Sequence, residues 1–198
     1  GAVTTLAGSS SGFSDGTGAS AKFNTPSGLT TDGTNLYVAD TQNYKVRKIV
    51  IATGAVTTLA GSSSGFSDGT GTSAKFNGLY ALGSDESYVY LGDYSNNRVR
   101  RIDKSTGVVT TVAGSGSYGT DDGTGTSAKF RNPMDVTSLG NYLYVTDRGN
   151  HRIRRIDKST KAVTTIAGSS AGFTNATGTS AKFYYPWGIV NDGENLYV

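Results

Sequence analysis

The chain has 198 residues with no cysteine, 28 glycines, only 17% charged residues and a net charge of +3. Without cysteine it can form neither a disulfide framework nor a thiolate metal site, and so small a positive charge argues against nucleic-acid binding. No apolar run approaches the roughly 18 residues that cross a bilayer, so no membrane span is predicted. The many glycines and few charges favour short strands and tight turns over helices.

A set of motifs recurs along the whole chain in one order. The first motif ends in glycine and reads GAVTTLAG at 1–8 and 54–61, GVVTTVAG at 107–114 and KAVTTIAG at 161–168. The second motif ends in SAKF and reads GFSDGTGASAKF at 12–23, with close copies at 65–76, 118–130 and 172–183. The glycines that close the first motif lie 53, 53 and 54 residues apart, at Gly8, Gly61, Gly114 and Gly168. The chain is therefore a tandem array of one unit.

The first unit contains the signals of four short strands. Residues 29–31 and 36–39 are predicted strands on either side of Asp32-Gly33, a dipeptide that favours a tight hairpin. A basic and hydrophobic strand is predicted at 45–49 and a β-branched strand at 55–60. Four short antiparallel strands in a unit of about 50 residues are typical of a propeller blade. We predict an all-β fold, a β-propeller of four-stranded antiparallel blades with three complete copies and an incomplete fourth.

The predicted blades form one propeller region over 1–198. Their boundaries are 8–60, 61–113, 114–167 and 168–198, with 1–7 as an outer strand. The third, basic strand is missing from the fourth unit, so a ring closed within this chain would be defective. Two interpretations stay open: the chain is part of a longer array, or its open blade edges are completed by another chain, which predicts self-association.

The motifs resemble the NHL repeat. The resemblance lies in P-x-G at 26–28, the strand ending in Asp40, Asn43 before a basic strand, and G-x-VTTLAG, in a longer bacterial-type version with a DGxGxxAxF insertion. It implies a closed propeller, commonly of six blades. The second copy departs from the pattern at 78–81, where both the proline and the glycine of P-x-G are missing.

Repeated residues are expected to be scaffold, so candidate ligand contacts lie where the copies differ. One such position follows the proline of P-x-G or its equivalent, and its neighbours vary as well. The candidate residues are Ser27, Tyr80, Arg131, Met134, Asp135, Tyr184, Tyr185 and Trp187. By the family resemblance this position lies near the mouth of the central channel, where aromatic rings could stack on a sugar or a peptide while Arg131 and Asp135 supply polar contacts. In the alternative interpretation Trp187 and Tyr80 fill the space between blades.

Two other charged patterns are interpreted as scaffold. The third strands hold 9 of the 18 basic residues, but alternation sends these side chains to both faces, where their stems would cover seams between blades. Nucleic acid is therefore not an expected partner. The acidic residues of the glycine-rich loops, Asp15, Asp68, Asp121 and Asp122, offer too few oxygens for calcium and are predicted to form Asx turns.

No catalytic constellation, metal site or cofactor is predicted. His151 is the only histidine and occupies a turn, and there is no cysteine nucleophile. Asn175 begins a formal glycosylation sequon, Asn175-Ala176-Thr177.

We predict a non-catalytic interaction, surface or assembly scaffold, located outside the cell or on its surface, with a protein or a second copy of the chain as partner. The first alternative is a lectin-like module that binds a glycan at the channel mouth. The second is a metal-dependent enzyme of the lyase or lactonase kind found on similar propellers.

Overall fold

The computed structural model describes residues 1–198, which form 17 short strands and seven single-turn 3₁₀ helices. The strands of the first unit are β1 (Gly16–Thr17), β2 (Pro26–Thr31), β3 (Asn35–Asp40), β4 (Lys45–Val50) and β5 (Ala55–Ala60). Those of the second are β6 (Gly69–Thr70), β7 (Leu82–Ser84), β8 (Tyr88–Asp93), β9 (Arg98–Asp103) and β10 (Val108–Ala113). Those of the third are β11 (Gly123–Thr124), β12 (Pro133–Leu139), β13 (Tyr142–Asp147), β14 (Arg152–Asp157) and β15 (Ala162–Ala167), and the fourth contributes β16 (Val190–Asn191) and β17 (Leu196–Tyr197). The 3₁₀ helices are Gly18–Ser20, Thr41–Asn43, Gly71–Ser73, Tyr94–Asn96, Gly125–Ser127, Arg148–Asn150 and Gly178–Ser180. None of these helices has the length and apolar character needed to cross a membrane.

Each of the first three units folds into one antiparallel sheet. The strand orders are β1-β5-β4-β3-β2 in sheet 1, β6-β10-β9-β8-β7 in sheet 2 and β11-β15-β14-β13-β12 in sheet 3. The fourth unit contributes the hairpin β16-β17. The prediction of an all-β fold of short antiparallel strands is confirmed.

The sheets have five strands and not the predicted four. In sheet 1 the glycine-rich loop returns to the outer edge, where Gly16 and Thr17 pair with Val56 and Ala55 of β5. Gly16 has φ +152°, and a Cβ there would lie 3.1 Å from the Ser20 side chain, so the tight reversal favours glycine. The insertion therefore covers the outer strand edge of each complete sheet, an edge that would otherwise offer unpaired backbone groups.

Residues 1–7, predicted as an outer strand, form no strand, since no strand lies beside them. Their path nevertheless matches that of β5. A Cβ added at Gly54 would lie 2.9 Å from Leu6 O, and one added at Gly107 would lie 2.9 Å from Leu59 O. Leu6 thus lies against sheet 1 as Leu59 lies against sheet 2.

The hydrophobic core lies between neighbouring sheets. One cluster of 12 buried residues joins sheet 1, through Tyr37 and Val46, to sheet 2, through Phe76 and Leu91. A second cluster of 11 joins sheets 2 and 3 in the same way. Sheets packed face to face at successive seams explain why hydrophobic residues occur on both faces of the inner strands.

A buried arginine fixes the loop to the third strand in every complete sheet. In sheet 1 the Arg47 guanidinium is fully buried and lies 2.7 Å from Asp40 and 2.6 Å from Asp15. Asp15 also accepts a hydrogen bond from Thr58 N at 3.2 Å. The same network is formed by Arg100 with Asp93 and Asp68, and by Arg154 with Asp147 and Asp122. The loop carboxylates are therefore ion-pair partners and not the Asx turns that we predicted.

Candidate ligand-binding face

Two variable positions of each unit lie side by side at one end of its sheet. The start of the innermost strand pairs with the end of the next strand, with Pro26 opposite Asp40 in sheet 1 and Pro133 opposite Asp147 in sheet 3. The residue after the proline in sheet 1, Ser27, contacts the residue after the aspartate, Thr41, with their hydroxyl oxygens 2.6 Å apart. Their equivalents in the second unit, Tyr80 and Tyr94, pack ring against ring. Loops at one end of several sheets form one surface, as is usual for binding sites carried on a rigid scaffold.

Arg148 lies at the centre of a group of aromatic rings on this surface. Its guanidinium carbon is 4.8 Å from the centre of the Tyr185 ring and 5.1 Å from that of Trp187. Its Nη1 also donates a hydrogen bond of 3.2 Å to the Tyr94 hydroxyl. Cation–π contacts at exposed sites contribute about 0.5–1 kcal/mol each, so Arg148 holds both rings in place and links them to sheet 2.

The rings continue to either side of Arg148. Tyr94 packs edge-to-face against Tyr80, with ring centres 5.3 Å apart, and Tyr185 packs in the same manner against Tyr184 at 4.9 Å. We call this group the aromatic belt, and its members are Tyr80, Tyr94, Arg148, Tyr184, Tyr185 and Trp187. Trp187 is 58% exposed and Tyr184 is 72% exposed, which is unusual for such large rings.

His151 contacts the belt residue Tyr185 and holds it in position. The backbone N–H of Tyr185 donates a 3.0 Å hydrogen bond to Nδ1 of His151, and the two rings meet edge-to-face at 4.4 Å. Burial, together with the nearby charges of Arg131 and Arg148, lowers the pKa of His151. The imidazole is thus kept neutral, with Nδ1 as an acceptor that positions Tyr185.

Comparison with known proteins gives the family. No protein-family profile matches the chain. It is 31% identical to NHL repeat-containing protein 2 of Bos taurus, with 72% of this chain and 22% of that protein covered. The chain belongs to the NHL-repeat β-propeller family. It is also 27% identical to the protein SUPPRESSOR OF QUENCHING 1, chloroplastic, of Arabidopsis thaliana, over 94% of this chain and 25% of the relative. The chain spans about a quarter of the length of these relatives.

Solved structures show the same fold. An auxiliary nutrient binding protein of Bacteroides thetaiotaomicron superposes with a TM-score of 0.70 at 22% identity, covering 88% of this NHL chain and 44% of the other. Virginiamycin B lyase of Staphylococcus aureus superposes with a TM-score of 0.55 at 18% identity, covering 91% and 50%. One fold thus carries both a protein named for binding and an enzyme.

The structure brings four of the predicted site residues together in the belt, namely Tyr80, Tyr184, Tyr185 and Trp187. Met134 is only 1% exposed, and a Cβ added at Gly92 of sheet 2 would lie 3.1 Å from its backbone nitrogen. Ser27 is used within the scaffold, since its hydroxyl contacts Tyr80 O at 2.7 Å and Thr41 Oγ1 at 2.6 Å. These two residues are therefore part of the joints between sheets in this NHL propeller.

The other two predicted residues lie apart from the belt rings. Arg131 is exposed and has its guanidinium 5.8 Å from the centre of the Tyr118 ring. Asp135 lines a cavity of about 300 Å³ between the innermost strands and accepts a hydrogen bond from Ile189 N at 3.0 Å. Burial raises the pKa of Asp135, although the N–H groups of Ile189 and Val136 oppose this. Asp135 therefore ties sheet 3 to the fourth unit.

Sequence reasoning missed Tyr94 and Arg148. The rule that sites lie where copies differ would have found them, because the position after the strand-ending aspartate is Thr41, Tyr94 and Arg148 in turn. Asn175, the first residue of the predicted sequon, lies on the surface. No three His, Cys, Asp or Glu side chains of the chain lie close enough together to hold a metal ion.

Proposed function

We propose that the chain is a non-catalytic NHL propeller that binds a partner through the aromatic belt. The observation that carries the proposal is the exposure of Trp187 and Tyr185 around a fixed guanidinium, on the end of the molecule where the copies differ. Trp, Tyr and Arg are the residues that contribute most to binding energy in protein interfaces. Because Arg148 already holds the rings, little side-chain entropy would be lost when a partner binds.

A segment of another protein is the partner that we propose first, and a second copy of the chain belongs to this class. Two exposed rings beside a guanidinium suit a peptide with an apolar side chain and a carboxylate or carbonyl group. A glycan is the second candidate, because the flat and exposed Trp187 ring offers a stacking surface for a sugar. The similar structure from Bacteroides thetaiotaomicron is that of an auxiliary nutrient binding protein, which fits a binding role for this fold.

A metal-dependent lyase or lactonase activity has less support. The lyase of Staphylococcus aureus shares the fold at 18% identity, but here the belt combines arginine with aromatic rings and contains no carboxylate. We also infer a location outside the cell or on its surface, which the Ser-, Thr- and Tyr-rich composition supports. Fractionation of the native source with an antibody against the chain would test that location.

The test is a pair of unbiased screens on the whole chain. We would probe a displayed random peptide library and a glycan array with the parent chain, with Trp187→Ala, and with Arg155→Ala as a matched control. Arg155 also contacts one aromatic ring, Tyr142 at 4.7 Å, but lies outside the belt. We expect hits that survive Arg155→Ala and are lost with Trp187→Ala. Peptide hits would support the protein partner and glycan hits the lectin-like alternative, whereas hits unaffected by Trp187→Ala would overturn the proposal.

A further inference from the structure

We propose that a second site, in a cavity between sheets 2 and 3, binds a small molecule that carries a carboxylate or phosphate group. The cavity has a volume of about 570 Å³, within the usual range for ligand pockets of about 300–1,000 Å³. It is lined by the turns β7–β8 and β14–β15, which lie at the end of the sheets opposite the aromatic belt. We call it the seam cavity.

Two cations without an acidic partner line the seam cavity. Arg101 is held by a 2.9 Å hydrogen bond from its Nε to Thr110 Oγ1 and by the Tyr88 ring, whose centre lies 4.7 Å from its guanidinium carbon. Its two terminal nitrogens make no hydrogen bond within the chain. Lys161 lines the cavity from the β14–β15 turn of sheet 3, and its ammonium group contacts only the Lys158 carbonyl oxygen. Arg101 and Lys161 thus present three nitrogen donors to the cavity.

The backbone conformation at Lys161 is one that favours glycine. Lys161 has φ +64°, in the left-handed region, and the equivalent residues of the other units are Gly54 at +68° and Gly107 at +70°. A side chain in this conformation brings its Cβ close to the following carbonyl oxygen and is strained. Burial and the neighbouring charge of Arg101 lower the pKa of Lys161. The third unit therefore places a lysine where both geometry and charge oppose it, as is common at functional sites.

The acidic residues of the cavity do not neutralise these two cations. The Asp85 carboxylate is 2.8 Å from Lys158 Nζ and accepts a 2.8 Å hydrogen bond from the Tyr90 hydroxyl. Its charge is therefore balanced by Lys158. Glu86 is exposed on the turn at the mouth and forms no ion pair. Arg101 is left without an ion pair, and Lys161 has only the attraction of Asp157, a carboxylate that accepts a hydrogen bond from the Ser159 hydroxyl and forms no ion pair with Lys161.

Polar groups of suitable type surround the two cations. The hydroxyl groups of Ser87 and Ser138 line the cavity and make no hydrogen bond within the chain. An anion that contacts Arg101 and Lys161 could accept further hydrogen bonds from these hydroxyls. Charge-assisted bonds from arginine and lysine are the usual means of binding carboxylates and phosphates.

The equivalent seam between sheets 1 and 2 lacks this arrangement. Lys104 and Asp32 repeat the pair of Lys158 and Asp85, although at 4.0 Å. Gly107 replaces Lys161 and Lys48 replaces Arg101. Lys48 keeps a positive charge at the position of Arg101, whereas Gly107 has none at the position of Lys161. Since the Asp–Lys pair recurs and Lys161 does not, the pair belongs to the scaffold and the second extra cation is specific to the seam between sheets 2 and 3.

The test uses variants that restore the residues of other units. Lys161→Gly should fold at least as well as the parent chain, because it removes the strain at φ +64°. Arg101→Lys is the companion variant, and Arg155→Lys on β14 is its matched control. The probes are inorganic phosphate, glucose 6-phosphate and galacturonate, with glucose as the neutral probe, titrated by calorimetry at constant ionic strength.

We expect binding of at least one anionic probe, none of glucose, and a loss of affinity of tenfold or more in Lys161→Gly but not in Arg155→Lys. Preference for the two phosphates or for galacturonate would identify the source of the anionic group. The proposal is overturned if none of the anionic probes binds the parent chain at millimolar concentration. It is also overturned if Lys161→Gly, with its melting temperature retained, binds as the parent does.

Discussion

Replacing Arg154 by alanine tests the buried ion pairs that join loop, second strand and third strand. Arg154 is fully buried and lies 2.7 Å from Asp147 and 2.8 Å from Asp122. Its terminal nitrogens also donate to the carbonyl oxygens of Lys129 and Asp121 at 2.9 and 3.0 Å. The substitution therefore leaves a buried carboxylate and two carbonyl groups without their partner.

The loss of stability expected for Arg154→Ala depends on the carboxylate that stays buried without its arginine. Removing one partner of a buried pair costs about 3–5 kcal/mol, since the other charge stays buried and uncompensated. The adjacent Arg155 points to the other face of β14 and makes only the contact with Tyr142, which is worth about 0.5–1 kcal/mol. Arg155→Ala is thus the matched control, and we expect it to be less destabilising than Arg154→Ala by about 2–4 kcal/mol.

The destabilisation by Arg154→Ala is expected to depend on pH. Burial already raises the pKa of Asp147, against the hydrogen bonds from Arg131 N, Asn150 and Arg154, and loss of Arg154 raises it further. When the pKa of a carboxyl group is raised on folding, the free energy of unfolding is highest below the unfolded pKa of about 3.9. The free energy of unfolding then falls as the pH rises through the folded pKa. The deficit of Arg154→Ala should therefore be larger at neutral pH than near pH 4.

The assay is urea unfolding followed by far-ultraviolet circular dichroism, with hydrogen exchange of the amides in β12–β15. Exchange is needed because repeat arrays can open one unit at a time. Sheet 3 should lose more protection than sheet 1 in Arg154→Ala. Equal destabilisation by the two arginine substitutions, or a deficit that grows on acidification, would refute the reasoning.

Two further predictions concern the seam and the belt. Gly92→Ala should destabilise the chain by about 1–3 kcal/mol, because the added Cβ would lie 2.3 Å from Pro133 O. The reverse change at the equivalent position, Ala39→Gly, should cost about 1 kcal/mol or less. Equal urea midpoints for the two variants would contradict this prediction. His151→Asn places there the residue of the second unit, Asn97, which has the same backbone conformation. Because the pKa of His151 is lowered on folding, its contribution is present above about pH 6.5 and is lost as pH falls through the folded value. Melting curves between pH 8 and 5 should show a decline in the parent chain that is smaller in His151→Asn, and parallel curves would disprove the role of the imidazole.

The repeat and most strands could be predicted because they depend on local pattern. The hairpin at Asp32-Gly33 and the basic strand at 45–49 are formed with boundaries close to those expected. The fifth strand was missed because Gly16-Thr17 is too short to show alternation. Its pairing depends on a loop that returns to β5, which only the folded structure shows.

The candidate site was predicted in part for a similar reason. Comparison of the units identified Trp187 and Tyr185, since variability can be read from one sequence that repeats itself. The position of Arg148 also differs between units and could have been included on the same ground. Its contacts with Tyr185 and Trp187 could not be predicted, because they join sheet 3 to the fourth unit and no spacing along the chain reports them. Met134 was a candidate by position, but the close approach of sheets 2 and 3 buries it.

Trp187 is the only tryptophan of the chain, so its fluorescence reports on the belt alone. The most direct test of the central claim is to titrate a peptide or glycan hit from the screens into the parent chain while recording tryptophan emission. If the belt is the binding surface, the Trp187 emission changes on titration with the hit, and the half-saturation concentration matches the dissociation constant measured by calorimetry. Arg148→Ala should raise the dissociation constant in both measurements. Saturable binding by calorimetry with no change in Trp187 emission would contradict the claim.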